Sequence, residues 1–141
     1  MYKKERYNEA LTIMNEALNF MPNDAGIHLN RGDTYRQLKR FNLALSDYHY
    51  ALDLGGNPSL IKARLSLTHY ALGAQSFNRQ DYEAANIEFT RAIDFFQGNP
   101  EYYINRARAC MQIGLVDLAY ADLKKTLELD PSHEVASSML Q

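Results

Sequence analysis

His133 and Glu134 are adjacent, and three residues after Glu134 stands Ser137, where a zinc-dependent protease helix would need a second imidazole. The pattern lacks a ligand and implies no metal. His28 and His69 fall at equivalent places of an internal repeat set out below, so packing is their expected role. Cys110 is the single cysteine, which rules out a disulfide within the chain and suits a reducing, cytoplasmic or nuclear setting. It shares a helix-packing position with Tyr35 and Ser76, and a buried thiol is inert unless its pKa is lowered. Neither a glycine-rich phosphate loop nor a Gly-x-Ser-x-Gly elbow occurs. The chain is expected to be no enzyme and to use no cofactor.

Other side chains have types and spacing suited to recognition. "LNRGDTYRQL" (Leu29 to Leu38) returns further along the chain as "INRARACMQI" (Ile104 to Ile113). Arg31 is followed by Asp47, and Arg106 by Asp122 at the same separation; the intervening copy has Leu72 and Glu88 at those places. An Arg on one helix facing an Asp on the next would make a bidentate pair across a hairpin, a structural role. The preceding Asn is one step round the helix and turns to the inner face.

Elements that could place these residues follow from the repeats. Tyr7 to Asn23, Phe41 to Asn57, the stretch from Tyr82 and the stretch from Val116 share one frame: Ala10, Ala44, Ala85 and Ala119, then Ala17, Ala51, Ala92 and Thr126 seven residues later. Such spacing puts small residues on one helical face, where a neighbouring helix can approach closely. Helical stretches of similar character, Ala25 to Leu38, Pro58 to Asn78 and Pro100 to Ile113, precede the last three copies, with Gly32, Gly73 and Ala107 as contact positions. Asn57-Pro58 and Asn99-Pro100 read as an N-cap followed by proline at the first helical position. Seven antiparallel helices are predicted, with an eighth begun after Pro131 and no strand. The offset between Ala44 and Ala85 is 41 rather than 34, which locates seven extra residues between Gly56 and Gly73. Leu60, Ile61, Leu65, Leu67 and Leu72 keep helical spacing there, so two extra turns are expected, roughly 10 Å of helix. They would project past the stack and carry Lys62 and Arg64.

A 34-residue helix-turn-helix unit with alanine in its second helix and a closing proline, as in "ALNFMPN" and "TLELDPS", resembles the tetratricopeptide repeat (TPR) family over essentially the whole chain. His28, His69 and Tyr103 stand where that family often has tryptophan, and Gly56 and Gln97 replace the closing proline in two repeats. The resemblance implies an all-α solenoid of antiparallel helix pairs in a right-handed superhelix. One domain, 1–141, would comprise a half repeat at 2–24, repeats at 25–58, 59–99 and 100–133, and the start of another or a capping helix at 134–141. The second half looks like the co-chaperone branch, whose carboxylate clamp grips the C-termini of heat-shock proteins. Asn105 matches one clamp position, but Tyr70, Ala74, Val135 and Met139 stand at the other four. Peptides ending in Glu-Glu-Val-Asp are therefore not expected to bind specifically.

The resemblance also implies that first helices line a concave groove. Its lining positions select Leu29, Asn30, Asp33 and Arg36, then Tyr70, Ala74 and Phe77, then Ile104, Asn105, Arg108 and Met111. Tyr70 and Phe77 would supply apolar contact, flanked by Asn30, Asn105, Arg36 and Arg108 as hydrogen-bond donors, so an apolar segment with an acidic residue is the expected ligand. A protein-interaction scaffold is the leading function; a self-associating structural segment and a targeting module for an attached enzyme are the alternatives. Net charge is −2, and the one basic cluster, Lys3, Lys4 and Arg6, is interrupted by Glu5, which argues against nucleic acid. The longest charge-free stretch, Leu65 to Asn78, is too short and polar to span a membrane. The chain is expected to be a segment of a longer array, because repeat arrays finish in polar caps. Leu11, Ile13 and Met14, or Met139 and Leu140, would then offer exposed surface to a second copy.

Overall fold

A computed structural model describes residues 2–141 as α1 (Tyr2–Phe20), α2 (Ala25–Gln37), α3 (Phe41–Asp53), α4 (Pro58–Asn78), α5 (Tyr82–Phe95), α6 (Pro100–Gln112), α7 (Val116–Leu129) and α8 (Glu134–Leu140), with no strand among the described residues. Two compact units divide the chain, one ending at Thr68 and the other starting at His69, with the boundary inside α4.

Local chemistry sets the helix ends. Side-chain oxygens of Asp24, Asn57, Asp81 and Asn99 accept from the backbone N–H of Ile27, Leu60, Ala84 and Glu101 at 2.9–3.2 Å, satisfying donors that lack an intrahelical partner. Lys39, Gln80 and Gly114 occupy the same place in three hairpin turns, with φ of 61°, 63° and 81°. This left-handed residue lets the next N–H, of Arg40, Asp81 or Leu115, bond back to Tyr35, Ser76 or Cys110 at 2.8–2.9 Å. Those three positions share the closing of the turn through their backbone carbonyls, and of their side chains only Cys110 is fully buried.

In the first unit, α2 packs between α1 and α3. Gly32 lies so close to Tyr48 that an added Cβ would come within 2.7 Å of the ring, and Ala44, Tyr48 and Ala51 are fully buried. Arg31 makes the expected fork with Asp47, donating from Nε at 2.9 Å and from Nη2 at 2.8 Å. His28 places Nδ1 3.2 Å from the same carboxylate and Nε2 2.8 Å from the carbonyl oxygen of Pro22. Both ring nitrogens of His28 are thus engaged within the unit.

The second unit repeats the arrangement with different residues. A Cβ on Gly73 would meet the Phe89 ring at 2.5 Å, and Ala107 sits with Leu123 in a cluster that includes Ile104, Cys110, Ala119 and Ala136. Arg106 forks onto Asp122 at 2.8 and 2.7 Å. In the hairpin of α4 and α5, which has no such Arg, Glu88 is held instead by His69 at 3.3 Å and Arg91 at 2.8 Å. The missing prolines are compensated locally. Gln97 caps α5 by donating Nε2 to the carbonyls of Ile93 and Asp94 at 2.7 and 2.9 Å, while its own carbonyl accepts from Tyr103 Oη. Gly56 leaves room for Ile61, whose Cδ1 would lie 2.6 Å from an added Cβ.

Two expectations need correction. The seven additional residues lie within α4, 21 residues long against 13 for α2 and α6, yet they do not simply project: Ile61 and Leu65 are fully buried, and Arg64 Nε is 3.2 Å from Asp33. An apolar pair four residues apart outweighs the tendency of a free helix end to stay in solvent. On α1, Leu11 is buried rather than exposed, whereas Ile13 is 65% exposed. Met139 and Leu140 are partly covered against the cluster around Ile104 and Leu123.

Candidate functional site

Leu29, Asn30, Asp33 and Arg36 follow one another at spacings of one, three and three along α2, with Asn30 the most open and the others half-buried. Asp33 and Arg36 are already engaged. The Tyr48 hydroxyl donates to Asp33 Oδ1 and accepts from Arg36 Nε at 3.2 Å. Arg36 Nη2 lies 3.8 Å and Arg64 Nε 3.2 Å from the same Asp33 oxygen. Burial, then the bond to Asp33, pushes the Tyr48 phenol well above its usual range. Periodicity marked Tyr48 only as core; the overlooked signal was its hydroxyl, since a buried tyrosine needs a partner.

In the second unit Tyr70, Ala74, Phe77, Asn105 and Arg108 come together with Asn78 and Phe89 around a cavity of about 220 Å³. Tyr70 and Ala74 are one helical turn apart on α4, and Asn105 and Arg108 are nearly so on α6. Tyr70 leans on Phe89 and Tyr102, with ring centroids 5.6 and 5.0 Å away, and Phe77 meets Tyr82 edge-on at 5.1 Å. Asn105 Nδ2 donates to Tyr70 Oη at 2.9 Å and to the Glu101 carbonyl at 2.8 Å, while its Oδ1 accepts from Arg108 Nη1 at 3.1 Å. Both amide hydrogens of Asn105 are thus occupied, so it orients Tyr70 and Arg108 and is not the free donor anticipated. Burial, with Glu101 nearby, raises the Tyr70 phenol pKa. The walls are aromatic and the mouth carries one guanidinium. The volume is below the roughly 300 Å³ at which small-molecule sites begin, and matches a single side chain.

Two candidates of the second unit lie outside this cavity, as do the four on α2. Ile104 is fully buried in the cluster with Leu123 and Ala136, because its direction on α6 faces α7 and α8. Met111 is half-exposed and does not line the cavity. Asn78 and Phe89 were missed, Asn78 because it ends α4 and Phe89 because it belongs to a second helix. No group of three or more metal-ligating side chains occurs among the described residues. His133 Nε2 instead contacts Glu101 at 2.9 Å while its Nδ1 caps α8 by accepting from Ala136. No described helix is long and apolar enough to cross a membrane.

Residues 100–133, covering α6, α7 and the turn after them, match the family model described as tetratricopeptide repeat. Human tetratricopeptide repeat protein 16 is 27% identical over 139 residues, which is 99% of this chain and 16% of that protein. The bovine BBSome complex member BBS4 is 29% identical over 140 residues, 96% of this chain and 25% of that one. This chain therefore spans about a sixth to a quarter of the length of these relatives. Among solved structures, MamA superposes with a TM-score of 0.61 at 21% identity, covering 97% of this chain and 76% of that one. YrrB does so with 0.59 at 18%, covering 94% and 64%. These likenesses bear on the fold.

Proposed function

We propose that this chain, a member of the tetratricopeptide repeat family, is a non-catalytic scaffold that holds a segment of a partner protein by seating one apolar side chain in the cavity of its second unit. The supporting observation is the cavity itself: aromatic walls from Tyr70, Phe77 and Phe89, held open by the bond from Asn105 to Tyr70 and rimmed by Arg108. An aromatic or branched aliphatic side chain would bury apolar area there at about 25 cal/mol per Å², in the manner of an anchor residue. Arg108 at the mouth favours an acidic neighbour on the same segment. That a bovine relative is named as a member of a complex accords with a role in holding proteins together. A cytoplasmic or nuclear setting goes with a free thiol at Cys110.

Ala74 lines the cavity and takes no part in the Tyr70 to Asn105 bond, so Ala74→Phe is the substitution expected to fill it. Peptides selected on the unaltered protein from a displayed random library should share an apolar anchor and lose at least tenfold in affinity to the Ala74→Phe variant. Unchanged affinity, with the circular dichroism spectrum unchanged, would exclude the cavity as the seat. A self-associating segment is the second reading, favoured by Ile13 and Phe20, 65% and 86% exposed and seven residues apart on α1. Light scattering that shows one mass from micromolar to millimolar concentration would remove it.

A further inference from the structure

The polar cluster of the first unit has more positive charge than this chain neutralises. Arg36 approaches from α2 and Arg64 from the added turns of α4, and Asp33 is the one carboxylate within ion-pair distance of either guanidinium among the described residues. All the contacts fall on Asp33 Oδ1, which also accepts from Tyr48. The Arg36 contact, at 3.8 Å, is too long for a hydrogen bond. The Arg64 contact, at 3.2 Å, is misaligned, since Nε is shielded from solvent and makes no hydrogen bond. Among the described residues Arg36 donates to Tyr48 and Arg64 Nε makes no hydrogen bond, although each guanidinium has five N–H groups.

Both guanidiniums are partly withdrawn from water, with side-chain exposures of 23% and 32%. Attraction for an anion is therefore screened less than at a fully solvated arginine. They are also positioned in advance: Tyr48, fully buried, holds Arg36 through its hydroxyl, and Ile61 and Leu65, also fully buried, anchor the turns that carry Arg64. Ordering them costs a ligand little.

We infer that Arg36 and Arg64 form a receptor for a carboxylate side chain of a bound partner segment, in the first unit and separate from the apolar cavity of the second. The planar fork of arginine matches a carboxylate in a bidentate way, which selects a glutamate or aspartate over a neutral amide of the same shape. None of the five positions compared with the family's clamp takes part. The inference rests on the scaffold function proposed above, but it concerns other residues and is tested without reference to the cavity.

Titration of the isotopically labelled full chain with the capped peptide acetyl-Gly-Glu-Glu-Gly-amide, followed through arginine Nε–H resonances, tests it directly. Saturable shifts are expected for Arg36 and Arg64 and not for the exposed Arg91, at least fivefold larger than with acetyl-Gly-Gln-Gln-Gly-amide. Arg64→Gln should weaken binding at least threefold while leaving the remaining spectrum in place. Equal response to the glutamine peptide, equal shifts at Arg91, or binding unchanged in Arg64→Gln would each overturn the assignment. A stronger response to inorganic phosphate than to the glutamate peptide would also overturn it, in favour of a phosphorylated ligand. Failure here would leave the Ala74→Phe result untouched, and the converse holds.

Discussion

Arg106 and Asp122 carry charge where the chain is otherwise apolar, with side-chain exposures of 13% and 4%. The carboxylate raises the guanidinium pKa through its hydrogen bond, against the opposing effect of burial. Removing one partner leaves the other charge buried and alone, which costs about 3 kcal/mol or more. Arg106→Ala should therefore lower stability by about that amount in urea titrations, and Arg106→Leu combined with Asp122→Leu should recover much of it. The middle hairpin shows that charge is not obligatory at the first of these positions, since Leu72 stands there. Cys110 is fully buried, and burial raises its thiol pKa. Iodoacetamide at pH 8 should label it in the folded protein at least a hundredfold more slowly than in urea. The equal separation of Arg from Asp in two copies of the repeat made both forks legible in the sequence. Tyr48 and Arg64 were not, because their partner Asp33 lies in a different helix for each and no periodic rule links all three.

Helices were legible where small residues recur at fixed offsets, and the structure adds why those residues are small. Gly73 faces Phe89 so closely that Gly73→Ala should lose about 1–3 kcal/mol by crowding the ring, despite the roughly 1 kcal/mol that alanine contributes over glycine in a free helix. A melting temperature equal to or above that of the unaltered protein would contradict this. The turns offer the opposite experiment. Lys39 and Gln80 hold positive φ without being glycine, and Gly114 marks what that place tolerates. Lys39→Gly and Gln80→Gly should each stabilise by about 0.5–1 kcal/mol, measured as a higher urea midpoint at unchanged slope. The added turns of α4 were readable from spacing, but their fate was not. Helical periodicity says that Ile61 and Leu65 share a face and is silent on what that face meets.

For the molecule as a whole, Tyr48, Tyr70 and Cys110 all have folded-state pKa values above their ordinary ones. A group of this kind stays protonated in the folded state while the unfolded chain releases its proton. Its stabilising effect is complete below the ordinary pKa and is lost as pH rises towards the folded value. Stability should be level with respect to these groups up to about pH 8 and fall progressively above the thiol and phenol range of about 8.5–10. Urea midpoints at pH 7, 9 and 10.5 measure it, and a midpoint that holds steady to pH 10.5 would contradict the shifts. Recognition at this scale follows from residues that are missing as much as from those present. With Tyr70, Ala74, Val135 and Met139 at four of the clamp positions, a C-terminal Glu-Glu-Val-Asp peptide should bind no better than its amidated form in calorimetry.

Sorting during folding is one more result of the paired small and large side chains. A chain of helices built on one repeating frame can join the wrong neighbours, the characteristic error of repeat proteins. Here Gly32 meets Tyr48, Gly73 meets Phe89 and Ala107 meets Leu123. An alanine helix cannot dock against either aromatic ring, whose atoms already lie 2.5–2.7 Å from where a Cβ would be. A glycine helix docked against leucine would leave a void and forfeit its contacts. Size thus keeps the alanine helix α6 from docking on either aromatic second helix, and leaves either glycine helix a poor fit to α7.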